Sequence, residues 1–229
     1  MDIIILTALK TGVSAGIKAS GVSREKLFVV TKVVGTKGQD VQAALETSLE
    51  KLGLDYLDII WAEMEAIKAS EKARSIGVSN FEQSDIEVIL QTAKTIPAIN
   101  QIEYNPYFQQ GNLIKFLREK NIAVAAFSPL AAITTARPGP LDEMYTELAK
   151  RYGVTESDIA LGWCIEQDIV AVTTSHSEQR LQGYLRNLPK FKLTGEEIER
   201  ISEIGKKKYR KGITEGYMRT HYVSQTPSS

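Results

Sequence analysis

"LDYLDIIWAEMEAIKAS" (residues 54–70) joins two kinds of pattern without a seam. Leu57–Ile60 continues an apolar run of the kind that forms a strand buried on both faces of a parallel sheet. From Trp61 the period becomes helical, with Trp61, Met64 and Ile67 on one face and Glu63, Glu65 and Lys68 on the other. No Gly, Pro, Asn or Ser stands between the two. A strand and the helix after it ordinarily need a few connecting residues. In α/β folds that connection sits at the carboxyl end of the strand, where chemistry is placed. The stretch therefore predicts a βα unit that has lost its loop.

The same alternation runs outward in both directions. "KLFVVTKVV" (26–34), "RSIGVSN" (74–80), "AINQIEYNP" (98–106), "IAVAAFSPL" (122–130) and "IVAVTTS" (169–175) read as further strands. Asp40–Leu52 reads as a helix stopped by Gly53, and Leu141–Tyr152 as one stopped by Gly153. Ser84 with Glu87, Thr155 with Asp158, and Thr194 with Glu197 have the spacing of capping boxes, the last flanked by a Leu193/Ile198 staple. Leu113–Lys120 is a further helix. Six strand candidates followed by helices predict a parallel sheet, either doubly wound or a barrel. No GxGxxG follows a strand, which argues against a dinucleotide-binding Rossmann unit. Polar residues gather instead at strand carboxyl ends: Lys32, Ser79, Asn80, Gln101, Ser128, Thr174 and Ser175. That is the pattern of a TIM-barrel active face.

At 229 residues the chain suits a single domain spanning 1–229, with "SQTPSS" (224–229) a disordered tail. Lys+Arg 28 against Asp+Glu 28 leaves no electrostatic case for nucleic acid or an anionic membrane. The single cysteine, Cys164, lies in an apolar helical stretch and reads as a buried small hydrophobe in a reducing compartment. No apolar run approaches membrane-spanning length, and the opening "MDIIILTALK" lacks the basic start and cleavage site of a signal peptide. A soluble cytoplasmic protein is expected, with no metal.

"KARSIGVSNF" (72–81), "INQIEYNPYFQQ" (99–110), "VAAFSPL" (124–130) and "VAVTTSHSEQRL" (170–181), in this order and spacing, resemble the aldo-keto reductase family. "KLFVVTKV" (26–33) resembles that family's third strand, and the likeness covers roughly residues 11–205. The ending "VTTS…R" is similar to fungal reductases of α-keto amides and conjugated ketones. The resemblance implies an α/β TIM (β/α)8 barrel that binds NADPH across its carboxyl face and reduces small carbonyl substrates. Lys32 would be the active-site lysine. Ser79, Asn80 and Gln101 would hold the nicotinamide carboxamide, and Phe127 would stack on the ring in place of the usual tyrosine. Ser128 and Leu130 would belong to the loop over the pyrophosphate. Ser175 and Arg180 would meet the 2′-phosphate, with Thr174 standing where the family has a lysine. Gly183 and Tyr184 replace the usual adenine contacts. Singly, each of these residues has a plain structural reading, as a turn, a core amide or a surface charge. In matched order along the chain they favour the cofactor reading.

The resemblance also implies gaps. The family's aspartate and tyrosine precede the lysine strand, yet residues 1–31 hold no tyrosine, and Asp2 is their only aspartate. The family's histidine follows the fourth strand, in the loop that 54–70 lacks; the chain's two histidines, His176 and His221, lie far downstream. The expected barrel is thus incomplete, with six parallel strands. Its first two strands and one βα loop are missing as segments rather than drifted, and residues 1–10 form at most a lone or poorly packed strand. An inactive or strongly impaired NADPH-dependent reductase is expected, the alternative being a non-catalytic NADP-binding remnant.

Overall fold

The computed structural model describes residues 2–6, 10–32, 40–61 and 72–212. The chain divides into two compact units, which meet in sequence between Asn100 and Gln101.

In the first unit, Leu27–Lys32 forms β2, with Val29 fully buried and Val30 nearly so. β2 lies between β1 (Asp2–Leu6) and β3 (Leu57–Trp61), and β3 pairs in turn with β4 (Ala73–Ser79), all parallel and in chain order. Helices α1 (Lys10–Ser20) and α2 (Val41–Leu52) fill the β1–β2 and β2–β3 crossovers that parallel pairing requires, and α3 (Gln83–Thr92) follows β4. Their apolar faces close the core: Leu45, Leu49 and Leu52 of α2 pack with Leu27, Val29, Leu57, Ala73 and Ile76, and Val13 and Ile17 of α1 lie against them. Local chemistry sets the ends of α2. The Asp40 carboxylate accepts the Ala43 N–H at 3.0 Å, and Gly53 leaves the helix at φ 65, where a side chain would be strained.

Three sequence expectations change in this unit. Residues 2–6 form a strand paired along its whole length, from Asp2 opposite Leu27 to Leu6 opposite Thr31, and α1 begins at Lys10. The described residues therefore contain seven strands, the six expected and one in the segment expected to be either a lone strand or poorly packed. Trp61 ends β3, paired with Gly77, because the β4 backbone offers one more rung than the side-chain period indicates. The rest of the helix expected over 61–71 lies outside the described residues, as does the tail. The box at the start of α3 uses Glu82 and Asp85 rather than Ser84 and Glu87, with the Glu82 N–H donating to the Asp85 carboxylate at 2.8 Å. Glu87 instead accepts from the Gln83 amide on the exposed side of the helix.

In the second unit, β5 (Ile99–Glu103, entering from Gln101), β6 (Ala123–Phe127) and β7 (Ile169–Ala171) follow in order, β6 and β7 in parallel register from Val124–Ile169 to Ala126–Ala171. Every residue of β5 is buried. Helices α4 (Leu113–Glu119), α5 (Asp142–Tyr152), α6 (Glu156–Ile165), α7 (Glu178–Asn187) and α8 (Gly195–Gly205) complete the unit. Both expected capping boxes are present, Thr155 with Asp158 and Thr194 with Glu197. Trp163 is fully buried, stacked on Tyr104 with ring centroids 5.0 Å apart, and its indole N–H donates to the Ser202 hydroxyl at 3.1 Å. Helix α7 was not among the helices expected from the sequence, although Leu181, Tyr184, Leu185 and Leu188 stand at helical spacing; of its EQRLQGYLRN only Tyr184 is buried.

Candidate active-site face at the strand carboxyl ends

The candidate residues fall at or just beyond the carboxyl ends of parallel strands, where backbone groups leave the sheet ladder. In the first unit, Lys32 is the last residue of β2, its backbone opposite Trp61 of β3. Ser79 ends β4, and Asn80 follows at φ 59. Asparagine tolerates this left-handed conformation better than most residues, so the chain turns sharply and leaves both side chains half-buried.

In the second unit, Gln101 is 2% exposed within β5. Phe127 ends β6 half-buried, and Ser128 follows at φ 54 with its side chain exposed. The second turn thus repeats the left-handed exit of the first. Leu130 opens a short 3-10 turn at Ala131–Ile133, its carbonyl accepting the Thr134 hydroxyl at 2.8 Å. The Val172 N–H donates to the Ala126 carbonyl at 2.9 Å, which carries the β6–β7 pairing on towards the two strand exits.

Beyond β7, Thr174 is exposed and Ser175 half-buried. The Ser175 hydroxyl accepts the Ser177 N–H at 3.0 Å, and the Ser177 hydroxyl caps α7 by accepting the Arg180 N–H at 3.3 Å. This chain of bonds links the Ser175 hydroxyl to the Arg180 backbone through Ser177, a residue not among the sequence candidates. The signal was a serine three residues before Arg180, the spacing of an N-cap. Arg180 is exposed and forms no ion pair among the described residues. His176 is exposed beside Ser175, and His221 lies outside the described residues.

Taken within each unit, these residue types suit parts of a phosphorylated nicotinamide dinucleotide. Amides and hydroxyls suit a carboxamide, an aromatic face suits the ring, and a guanidinium suits a phosphate. The chemistry at the reacting carbonyl is thinner. A tyrosine acid needs its pKa brought down toward neutrality, and four tyrosines of the second unit move the other way. Burial pushes the Tyr104 hydroxyl up; it donates to the Gln167 amide oxygen at 3.2 Å. Burial also raises Tyr107 and, most strongly, the fully buried Tyr145. Tyr152 is raised by its hydrogen bond to the Glu197 carboxylate. Among the described residues no group of three or more His, Cys, Asp and Glu side chains could hold a metal, and no helix is long and apolar enough to cross a membrane.

Residues 7–206 match the aldo/keto reductase family. The chain is 34% identical over 224 residues to a 9,11-endoperoxide prostaglandin H2 reductase of Trypanosoma cruzi, covering 91% of this chain and 78% of that protein. It is 36% identical over 186 residues to an NADPH-dependent alpha-keto amide reductase of Saccharomyces cerevisiae, covering 70% of this chain and 59% of the yeast protein. Its fold is similar to that of a Bombyx mori aldo-keto reductase solved in complex with NADP, with a TM-score of 0.81 at 31% identity over 88% of this chain and 78% of that one. With these likenesses, the parallel βα pattern is of the TIM-barrel type seen in such reductases. The chain belongs to the aldo/keto reductase family.

Proposed function

We propose that this chain is a single oxidoreductase domain that binds NADPH in the manner of its family but reduces carbonyl compounds slowly or not at all. The amide and hydroxyl groups of Ser79, Asn80 and Gln101 hold the carboxamide, and Phe127 lies on the nicotinamide. Ser128 and Leu130 cover the pyrophosphate, and Thr174, Ser175 and Arg180 meet the 2′-phosphate. Bound NADPH supplies a hydride to the carbonyl carbon of a small aldehyde, ketone or dicarbonyl. The cytoplasm, where NADPH is available, is the proposed place of action.

The observation that carries the impaired reading is the set of residues present at the reacting end. Positions 7–31 contain neither aspartate nor tyrosine, and the chain has only two histidines, His176 and His221. Eleven positions, 62–72, separate the end of β3 from the start of its parallel neighbour β4. A parallel crossover takes about a dozen residues by itself, so no length is left there for a loop carrying a histidine. Of the family's four chemical positions, Lys32 alone has its counterpart. Without a proton donor, general acid catalysis worth roughly 10²–10⁴-fold is lost.

The test joins two measurements on one preparation. Tryptophan fluorescence titrated with NADPH should show saturable binding, while NADPH oxidation with a reactive dicarbonyl should stay at or near background. Turnover at ordinary reductase rates would show that another group supplies the proton. Absence of binding would remove the cofactor reading altogether.

A further inference from the structure

Asn100 is fully buried in β5, a strand in which a β-branched apolar residue would be the ordinary choice. Its Nδ2 donates to the Phe81 carbonyl at 2.8 Å, nineteen residues back along the chain. Its Oδ1 is buried and has no hydrogen-bond partner among the described residues. A buried amide with one end unsatisfied is a poor device for stability, because the unmade bond costs about as much as the made one contributes. The residue is better explained by what its single bond holds.

Phe81 follows Ser79 and Asn80, the pair that leaves β4 towards α3. Asn80 is at φ 59, a left-handed conformation that asparagine tolerates better than most residues but that still costs more than an ordinary one. The bond to the Phe81 carbonyl fixes the far side of that turn. The near side is held by the Ala98 N–H, which donates to the Ile76 carbonyl at 2.8 Å. The turn is therefore tied on both flanks by residues 98 and 100. Successive strand residues face opposite ways, so Asn100 lies on the other face of β5 from Gln101 and is not itself a cofactor ligand.

Resting on the cofactor reading above, we infer that Asn100 is a positioning residue that holds the Ser79–Asn80 turn in its nicotinamide-binding shape. The inference predicts a selective defect. Asn100→Leu keeps the volume and removes the donor, so it should weaken NADPH binding about tenfold, the worth of roughly one hydrogen bond. It should leave unchanged the binding of 2′,5′-ADP, which carries the phosphorylated adenosine without the nicotinamide. Its melting temperature should stay within a few degrees of the unsubstituted chain. Asn100→Ser, which also cannot reach Phe81, should show the same split and serves if the leucine variant does not fold. Unchanged NADPH affinity in either folded variant would overturn the inference, and so would equal weakening of both ligands, which marks a general packing role. Failure of the unsubstituted chain to bind NADPH would overturn the cofactor reading and this inference with it. Binding by that chain with no split in the variants would overturn the inference alone.

Discussion

The Arg180 N–H donates to the Ser177 hydroxyl at 3.3 Å, and the Ser177 N–H donates to the Ser175 hydroxyl at 3.0 Å. Both hydroxyl oxygens are thereby engaged as acceptors by the backbone, which fixes the loop between β7 and α7. The Arg180 guanidinium is left as the exposed cation at the start of the helix. On the proposed cofactor reading, Thr174 stands where the family has a second cation, and phosphate recognition would rest on one charged donor.

NADPH should therefore bind more tightly than NADH by about 1.5 kcal/mol, the lower end for a hydrogen bond to a charged group because the site is exposed. Added salt should narrow the difference. Arg180→Ala should bring the two cofactors to nearly equal affinity, as read by fluorescence titration. Equal affinities in the unsubstituted chain would mean that Arg180 does not meet the phosphate.

Lys32 closes β2, and in the proposed reading it is the active-site lysine. Any slow NADPH oxidation that survives in this chain should depend on it. Lys32→Met should lower that residual rate to the level of buffer without changing NADPH affinity more than about twofold. A residual rate indifferent to the substitution would trace to solution chemistry or to a different donor.

Glu197 in α8 ties three groups together. It accepts from Arg151 Nη1 at 2.7 Å, from the Tyr152 hydroxyl at 2.6 Å and from the Thr194 N–H at 2.9 Å. Burial alone would raise its carboxyl, but these donors outweigh burial and hold the pKa below the ordinary glutamate value. A pKa lowered in the folded state means that the stabilisation is full above the ordinary value, about 4.3, and is lost as pH falls through the folded one. Glu197→Gln should cost about 1 kcal/mol at neutral pH, discounted because Arg151 is half-exposed. Urea midpoints of the two proteins should converge as pH falls towards 3. A constant gap across that range would assign the cost to packing.

Gly205, at the end of α8, lies against the loop after β5. A Cβ there would stand 2.2 Å from the Pro106 carbonyl oxygen and 2.8 Å from its carbon. Backbone cannot move aside as the tip of a side chain can. Gly205→Ala should destabilise by about 3 kcal/mol, the upper range for overpacking, and lower the melting temperature by roughly 6–12 °C. Gly183→Ala, where a Cβ would meet nothing within 4 Å, is the control and should leave it unchanged or slightly raised.

What the sequence determined by itself is the part governed by residues close along the chain. Thr155 with Asp158, Thr194 with Glu197, Asp40 with Ala43, and the left-handed exits at Gly53 and Gly153 are bonds or dihedrals set within four residues. Apolar runs such as Ala123–Phe127 similarly announce a strand buried on both faces. The order of motifs carried the family, because each marks a strand end and strand ends share one face. Tertiary structure decided what depends on a partner distant in sequence. Trp61 stays in a strand because β4 supplies the rung at Gly77, and residues 2–6 become β1 because β2 offers them a full edge. Asn100 gives no signal in the sequence until its amide is found donating to the Phe81 carbonyl, and Gly205 reads as a helix residue until Pro106 closes on it. Helix α7 is a different case, since Leu181, Tyr184, Leu185 and Leu188 stand at helical spacing and Ser177 caps its start, both of them features close along the chain. Hydrogen bonds and packing between segments far apart in the chain leave no period in the sequence, so only the folded arrangement shows them.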